Sequence, residues 1–185
     1  MKVSVFLRLL VLGGTAWLAG CRQPTEEGGC RPDPAADAPP ATVRLAHLER
    51  PFFQIKNEAA GLQFMRAHPV FARYYLQVGQ APSPAALAGS LAQLATNADL
   101  QKLGRQTATA FPDSTALQRD LGAMLGRVKY YFPDFRTPPV AATYVSGLLG
   151  KDVFVNDSLL VISLDWFAGP KASYRPDLPQ YMLRR

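Results

Sequence analysis

The chain holds two histidines and two cysteines, and their settings bound the chemistry it can carry. His47 lies in Ala46-His47-Leu48-Glu49. This is not His-Glu-x-x-His, the helical spacing that puts two imidazoles on one face to hold zinc. His68 precedes Pro69 and has neither His nor an acid four residues on. A catalytic zinc takes three protein ligands, so these histidines would need carboxylates or a Cys from elsewhere. No Gly-x-Ser-x-Gly occurs, and Gly147-Leu148-Leu149-Gly150-Lys151 lacks the length and the following Ser or Thr of a phosphate loop. The expectation is no catalytic residue, no metal and no cofactor, and hence no enzyme. Two features remain. In Asp165-Trp166-Phe167 a carboxylate stands beside two rings at a strand end, where it could touch a sugar or a peptide. With Tyr174 in the loop that follows, Asp165 and Trp166 are the candidate surface contacts. The competing and stronger reading is a strand terminus that drops two rings into the core. The other feature is the thiol of Cys21, which follows Leu18-Ala19-Gly20.

That thiol sits at the end of a leader. Lys2 and Arg8 supply positive charge, and Val3 to Leu18 an apolar stretch broken by Ser4, Arg8, Gly13, Gly14 and Thr15. Ala19 and Gly20 are small enough for a signal peptidase. The run after Arg8 is too short for a spanning helix, which needs about 20 apolar residues. Leu-Ala-Gly-Cys resembles the bacterial lipobox. Cleavage then falls between Gly20 and Cys21, and the Cys21 thiol takes a diacylglyceryl group with acyl chains of the palmitate kind. The alternative is an ordinary signal peptide with a chance Cys. Stable anchoring needs at least two acyl chains, which a lipoprotein Cys provides, so the expected partner of Cys21 is a lipid bilayer.

Without residues 1–20 enough chain remains for one ordinary domain. Hydrophobic residues make up 48% and charged ones only 18%, which excludes disorder of the whole chain. Lys2 and Arg8 fall in the leader, so of 20 basic and 14 acidic residues the mature part keeps a net charge of +4. The basic residues are scattered, without the concentrated face that nucleic acid requires. No nucleic-acid partner is expected. With Cys21 acylated, Cys30 has no second thiol to pair with inside the chain.

Three regions follow: a signal peptide at 1–20, a tether at 21–41 and a globular domain at 42–185. The tether holds Pro24, Pro32, Pro34, Pro39 and Pro40 with Gly28 and Gly29. Such segments extend about 3 Å per residue, enough to hold a body roughly 50 Å or less from a membrane. In the globular part, Val43, Leu45 and Leu48 suggest a short strand or turn. Helices are predicted over Asn57 to Ala67, over Val70 to Val78, from the Ser83-Pro84 cap, and after a break at Asn97 to Asp99. The clearest helix starts at Asp113-Ser114. Its Leu117, Leu121, Met124, Val128 and Tyr131 recur at helical spacing and predict one core-facing stripe. After Pro138-Pro139 the period changes. Val140 to Val145, Val153 to Val155 and Leu159 to Leu164 read as strands, with Asn156-Asp157 as a hairpin turn. The class is α+β, several helices followed by a small sheet with a hairpin. The strand Leu159-Leu160-Val161-Ile162 reads as covered on both faces. The preceding helices are expected to supply one layer, and Ala168 to Arg185 is too rich in Pro and Gly to supply the other.

The last third carries a resemblance. Lys129-Tyr130-Tyr131-Phe132-Pro133, Pro138-Pro139-Val140, Thr143-Tyr144-Val145-Ser146-Gly147, Val153-Phe154-Val155, Leu164-Asp165-Trp166-Phe167-Ala168-Gly169, Tyr174-Arg175, Leu178-Pro179 and Gln180-Tyr181-Met182 occur in this order. Together they resemble the gliding motility-associated lipoprotein GldB family, which usually has Leu where Ala168 stands. The leader, tether and helical region fit the same family without specific motifs.

The resemblance implies a lipoprotein needed for gliding and for the secretion system allied to it, acting by protein–protein contact with envelope proteins of that machinery. It implies a place in the cell envelope, on the periplasmic face or the cell surface. Glu26-Glu27, soon after Cys21, weakly resembles a surface-display signal, with Arg22 and Gln23 intervening. No catalytic residues are established for the family. A distant similarity to His-Glu-x-x-His peptidases carries no ligands onto this chain. Family members continue past the equivalent of Tyr181-Met182, so the chain is expected to be a carboxy-terminally truncated, partial copy of the domain. The alternative is an envelope hydrolase or degenerate zinc-peptidase-like protein whose catalytic part lies beyond it.

Overall fold

The computed structural model describes residue 35, residues 37–169 and residues 172–173. Strand β1 (Leu45–His47) comes first, followed by α1 (Glu49–Phe52), α2 (Glu58–Ala67), α3 (Pro69–Tyr74), α4 (Pro84–Thr96), α5 (Ala98–Ala110) and α6 (Thr115–Tyr131). Strands β2 (Val140–Tyr144), β3 (Val153–Val155) and β4 (Leu159–Ser163) follow, and short 3-10 turns occupy Val78–Gln80 and Leu164–Phe167. The class is α+β, as expected, and the short strand or turn read at Val43, Leu45 and Leu48 is a strand that joins the later sheet. β1 pairs parallel with β2, β2 parallel with β4, and β3 antiparallel with β4, in the order β1-β2-β4-β3.

Local chemistry fixes the helix starts. Asn57 Oδ1 accepts from Ala60 N at 2.9 Å, Ser83 Oγ from Ala86 N at 3.0 Å, and Asn97 Oδ1 from Asp99 N and Leu100 N at 3.0 Å each. Each bond satisfies backbone donors that a helix leaves unpaired at its first turn. The predicted helix over Val70 to Val78 is shorter, because Gln77 takes a left-handed conformation (φ 55) and redirects the chain. In the β3–β4 hairpin, Asn156 Oδ1 accepts from Ser158 N and Leu159 N, both at 2.8 Å. Asn thereby builds the turn without a Gly.

Side chains alternate across the sheet and feed two cores. One face carries Ala142, Tyr144, Leu159 and Val161 toward α1–α4, with Phe52, Phe64 and Phe71. Phe52 and Phe71 each meet the Tyr144 ring at 5.0 Å between centroids, close to the spacing favoured by aromatic pairs. At the α2–α4 crossing, an added Cβ on Gly61 would lie 2.6 Å from the Ala88 carbonyl oxygen, so only Gly admits that contact. The other face carries Leu45, Ala141 and Leu160 toward Leu121 and Leu125 of α6. Both faces of β4 are therefore covered, as its apolar run predicts. The expectation that the preceding helices supply only one layer is corrected: α6 supplies the second.

The predicted face of α6 is also corrected. The stripe Leu117, Leu121, Met124, Val128, Tyr131 lies half outside, with Met124 46% and Tyr131 53% exposed. The buried residues are Leu121, Gly122, Leu125 and Gly126. Pro39 to Ala41, the last residues of the segment read as a tether, cross the helix at the two glycines. Ala41 N donates to Gly122 O at 2.9 Å, and a Cβ on Gly126 would lie 2.4 Å from Pro39 O. Gln118 Nε2 donates to Val43 O at 3.0 Å and extends the attachment.

Candidate functional site

The carboxyl ends of β1, β2 and β4 lie side by side, the end of a parallel sheet where open α/β folds place their ligands. Two polar clusters form there. At the end of β1, His47 Nδ1 lies 3.1 Å from Glu49 Oε1 and 3.1 Å from Thr143 Oγ1. The Thr143 hydroxyl, wholly buried, donates to Glu49 Oε2 at 2.7 Å. One carboxylate thus ties β1 to β2 through a His and a Thr that are 96 residues apart.

The second cluster centres on Asp165, which is only 2% exposed. Its Oδ1 accepts from Ser146 N at 2.9 Å, and its Oδ2 accepts from Ser146 Oγ at 3.1 Å and Leu148 N at 2.7 Å. The loop it holds is bent sharply, with left-handed conformations at Gly147 (φ 69) and Leu148 (φ 61). A carboxylate is suited to this place because it accepts from several donors at once. Beside it, Ser163 Oγ donates to Lys151 O at 2.7 Å, leaving a lone pair for the Tyr75 hydroxyl at 3.2 Å. Burial pushes the Tyr75 phenol above its ordinary value. Burial raises Tyr144 further, with the nearby Tyr75 and Asp165 adding to it. Both phenols are therefore fixed as neutral hydroxyls.

Asp165 is thus no surface contact: it is an internal acceptor. Trp166 is half-buried, and its Nε1 is enclosed without a hydrogen-bond partner among the described residues. The exposed ring of the segment is Phe167. Tyr174 lies outside the described residues, as do Gly20 and Cys21. His68 takes part in neither cluster's hydrogen bonds; it lies edge-on to Phe64 at 5.0 Å, and burial lowers its basicity. Among the described residues, no three His, Cys, Asp or Glu side chains converge to hold a metal ion, and no helix is long and apolar enough to cross a membrane. Sequence reasoning missed both clusters. Their members come from β1 and α1, the end of α3, β2 and the loop after it, and β4 and the 3-10 turn after it, so most of the bonds join residues far apart in sequence.

Among the described residues the arrangement is a four-stranded mixed sheet between helical layers, its strand ends tied by internal polar bonds. The family model described as gliding motility protein GldB matches residues 29–185, and the chain belongs to that family. No curated protein and no solved structure matches it.

Proposed function

We propose that this protein is a membrane-anchored lipoprotein of the gliding machinery and its allied secretion system, held by acylated Cys21 and acting through contacts with other envelope proteins. Membership of the GldB family carries the reading. The Leu18-Ala19-Gly20-Cys21 leader supports the anchor. Engagement of His47, Glu49, Thr143, Ser146, Ser163 and Asp165 with one another or with the backbone supports a binding role over a catalytic one. The test replaces the chromosomal gene with a Cys21→Ser version. The body should leave the membrane fraction, and the cells should stop gliding although the protein is folded and present. Normal gliding with the protein released from the membrane would overturn the anchored role. Mass spectrometry of the native protein should find its amino terminus at Cys21 with acyl mass attached.

A further inference from the structure

We propose that the carboxyl end of α6 rests on the anionic phospholipid leaflet that holds the Cys21 anchor, so that the domain presents a fixed face to its membrane. This deepens the proposed function and rests on its anchored reading. Exposed rings gather at that end. Tyr130, Tyr131 and Phe132 are 51%, 53% and 66% exposed, and Met124 is 46% exposed on the same helix. Met124, Val128, Tyr131 and Phe132 line one open groove together with Arg127. Tyr130 packs edge-on against Tyr131, with 5.2 Å between ring centroids. A contiguous apolar patch on a folded domain marks an interaction site. Tyrosine, apolar along its ring and polar at its tip, suits the headgroup level of a bilayer.

The path of the chain points to what covers this patch. Ala41 lies at Gly122 and Pro39 at Gly126. Traced backward toward Cys21, the chain therefore runs along α6 toward its carboxyl end. Tyr130 is the next residue on that side, one turn beyond Gly126. Residues 22–38 alone separate this point from the anchor, and at about 3 Å per residue they reach roughly 50 Å or less. The end of the domain that carries the rings is thus the end by which the anchor holds it. Charge agrees with a lipid surface. Arg127 and Lys129 are exposed and make no ion pair among the described residues, whereas Asp120 is paired with Arg119 at 3.0 Å. Arg136 shares a second groove with Asp134 and Asp157, so the attraction comes from Arg127 and Lys129. Such cations are drawn to an anionic leaflet within a Debye length. A patch this small would not hold the domain by itself. The anchor makes its contact intramolecular and so raises its effective concentration.

The experiment uses the full acylated protein, purified from its own envelope with Cys30→Ser and a single bimane label at Phe132→Cys. It is placed in vesicles of phosphatidylcholine and phosphatidylglycerol. A label at the exposed Ser90→Cys, on α4 across the sheet from α6, is the reference. Both labelled proteins should float with the vesicles. Doxyl-phosphatidylcholine should quench the α6 label, and iodide should quench it about threefold less than the α4 label, as for side chains sunk at the headgroup level. Arg127→Glu with Lys129→Glu should bring the iodide value of the α6 label toward that of the α4 label without loss of flotation, because the anchor is untouched. If Phe132→Cys fails to fold, a label at Met124→Cys carries the same readings. Failure of the protein to float would overturn the anchored reading and this inference with it. Flotation with equal iodide access at both labels, no doxyl quenching on α6, or indifference to the charge reversal would overturn this inference alone. So would an α6 label open to iodide on vesicles but shielded in the native envelope, since a protein then covers the patch.

Discussion

Replacing Asp165 with Ala should cost the protein a large share of its stability. The carboxylate accepts three hydrogen bonds, at 2.9, 3.1 and 2.7 Å, two of them from backbone N–H groups. Hydrogen bonds to a charged acceptor contribute about 1.5–3 kcal/mol each, and the donors left behind carry their own desolvation penalty. The Ser146 hydroxyl can turn to other partners, whereas the two amides are fixed by the backbone. Allowing for partial rescue by water at this half-buried loop, the loss should be about 3–4 kcal/mol. In a domain of this size that lowers the melting temperature by about 10 °C. Asp165→Asn should fall between Ala and the native chain, because the amide accepts at one oxygen but points N–H groups at a donor. Ser146→Ala should cost about 1 kcal/mol. Urea unfolding followed by circular dichroism, on the chain carrying Cys21→Ser, measures all three. A loss below about 1 kcal/mol for Asp165→Ala would refute the argument. So would an Asp165→Asn protein of native stability that no longer supports gliding, since that is the signature of a contact residue.

Gly126→Ala should destabilise by about 2–3 kcal/mol, because its Cβ would meet Pro39 O at 2.4 Å. Gly89→Ala in α4 meets nothing within 4 Å and should gain up to about 1 kcal/mol in the same urea assay. Tyr75→Phe, which removes the hydroxyl bonded to Ser163, should lose about 1 kcal/mol. Burial lowers the pKa of His68 from 6.5, so the unfolded chain binds its proton first as the pH falls. Stability should therefore decline as the pH drops through that ordinary value toward the depressed one, and His68→Gln should flatten that part of the profile of urea midpoint against pH.

Features that depend on adjacent residues were legible in the sequence. The caps at Ser83 and Asn97 and the Asn156 turn each act within three residues, so residue type and order suffice to find them; Asn57, read as the first residue of its helix, is its cap. The strand over β2 and the apolar run of β4 were legible for the same reason. The pairing of β1 with β2 was not, because Leu45 meets Ala141 only after the intervening helices have folded. The His47–Glu49–Thr143 cluster follows from that pairing and was hidden with it. The role of Asp165 was hidden for a related reason. The strand-terminus reading was the stronger one, but nothing adjacent to Asp165 shows that a loop 17 residues upstream needs its acceptor, and of the two rings Trp166 is half-buried and Phe167 exposed.

The rotation of α6 shows where an apolar count goes wrong. Met124 and Tyr131 add hydrophobicity to the predicted stripe, whereas Gly122 and Gly126 add almost none, so the count points the helix away from its buried side. Backbone approach reverses the weighting. At a crossing where Pro39 O and Ala41 O lie within 3 Å of a would-be Cβ, absence of a side chain is what permits burial. With α6 turned this way, Leu121 and Leu125 close over Leu160, and β4 has helices on both sides within the described residues. The two-sided apolar run of β4 is thus explained by elements that precede it in the chain. The crossing of Pro39 to Ala41 over Gly122 and Gly126 therefore belongs with the second layer over β4.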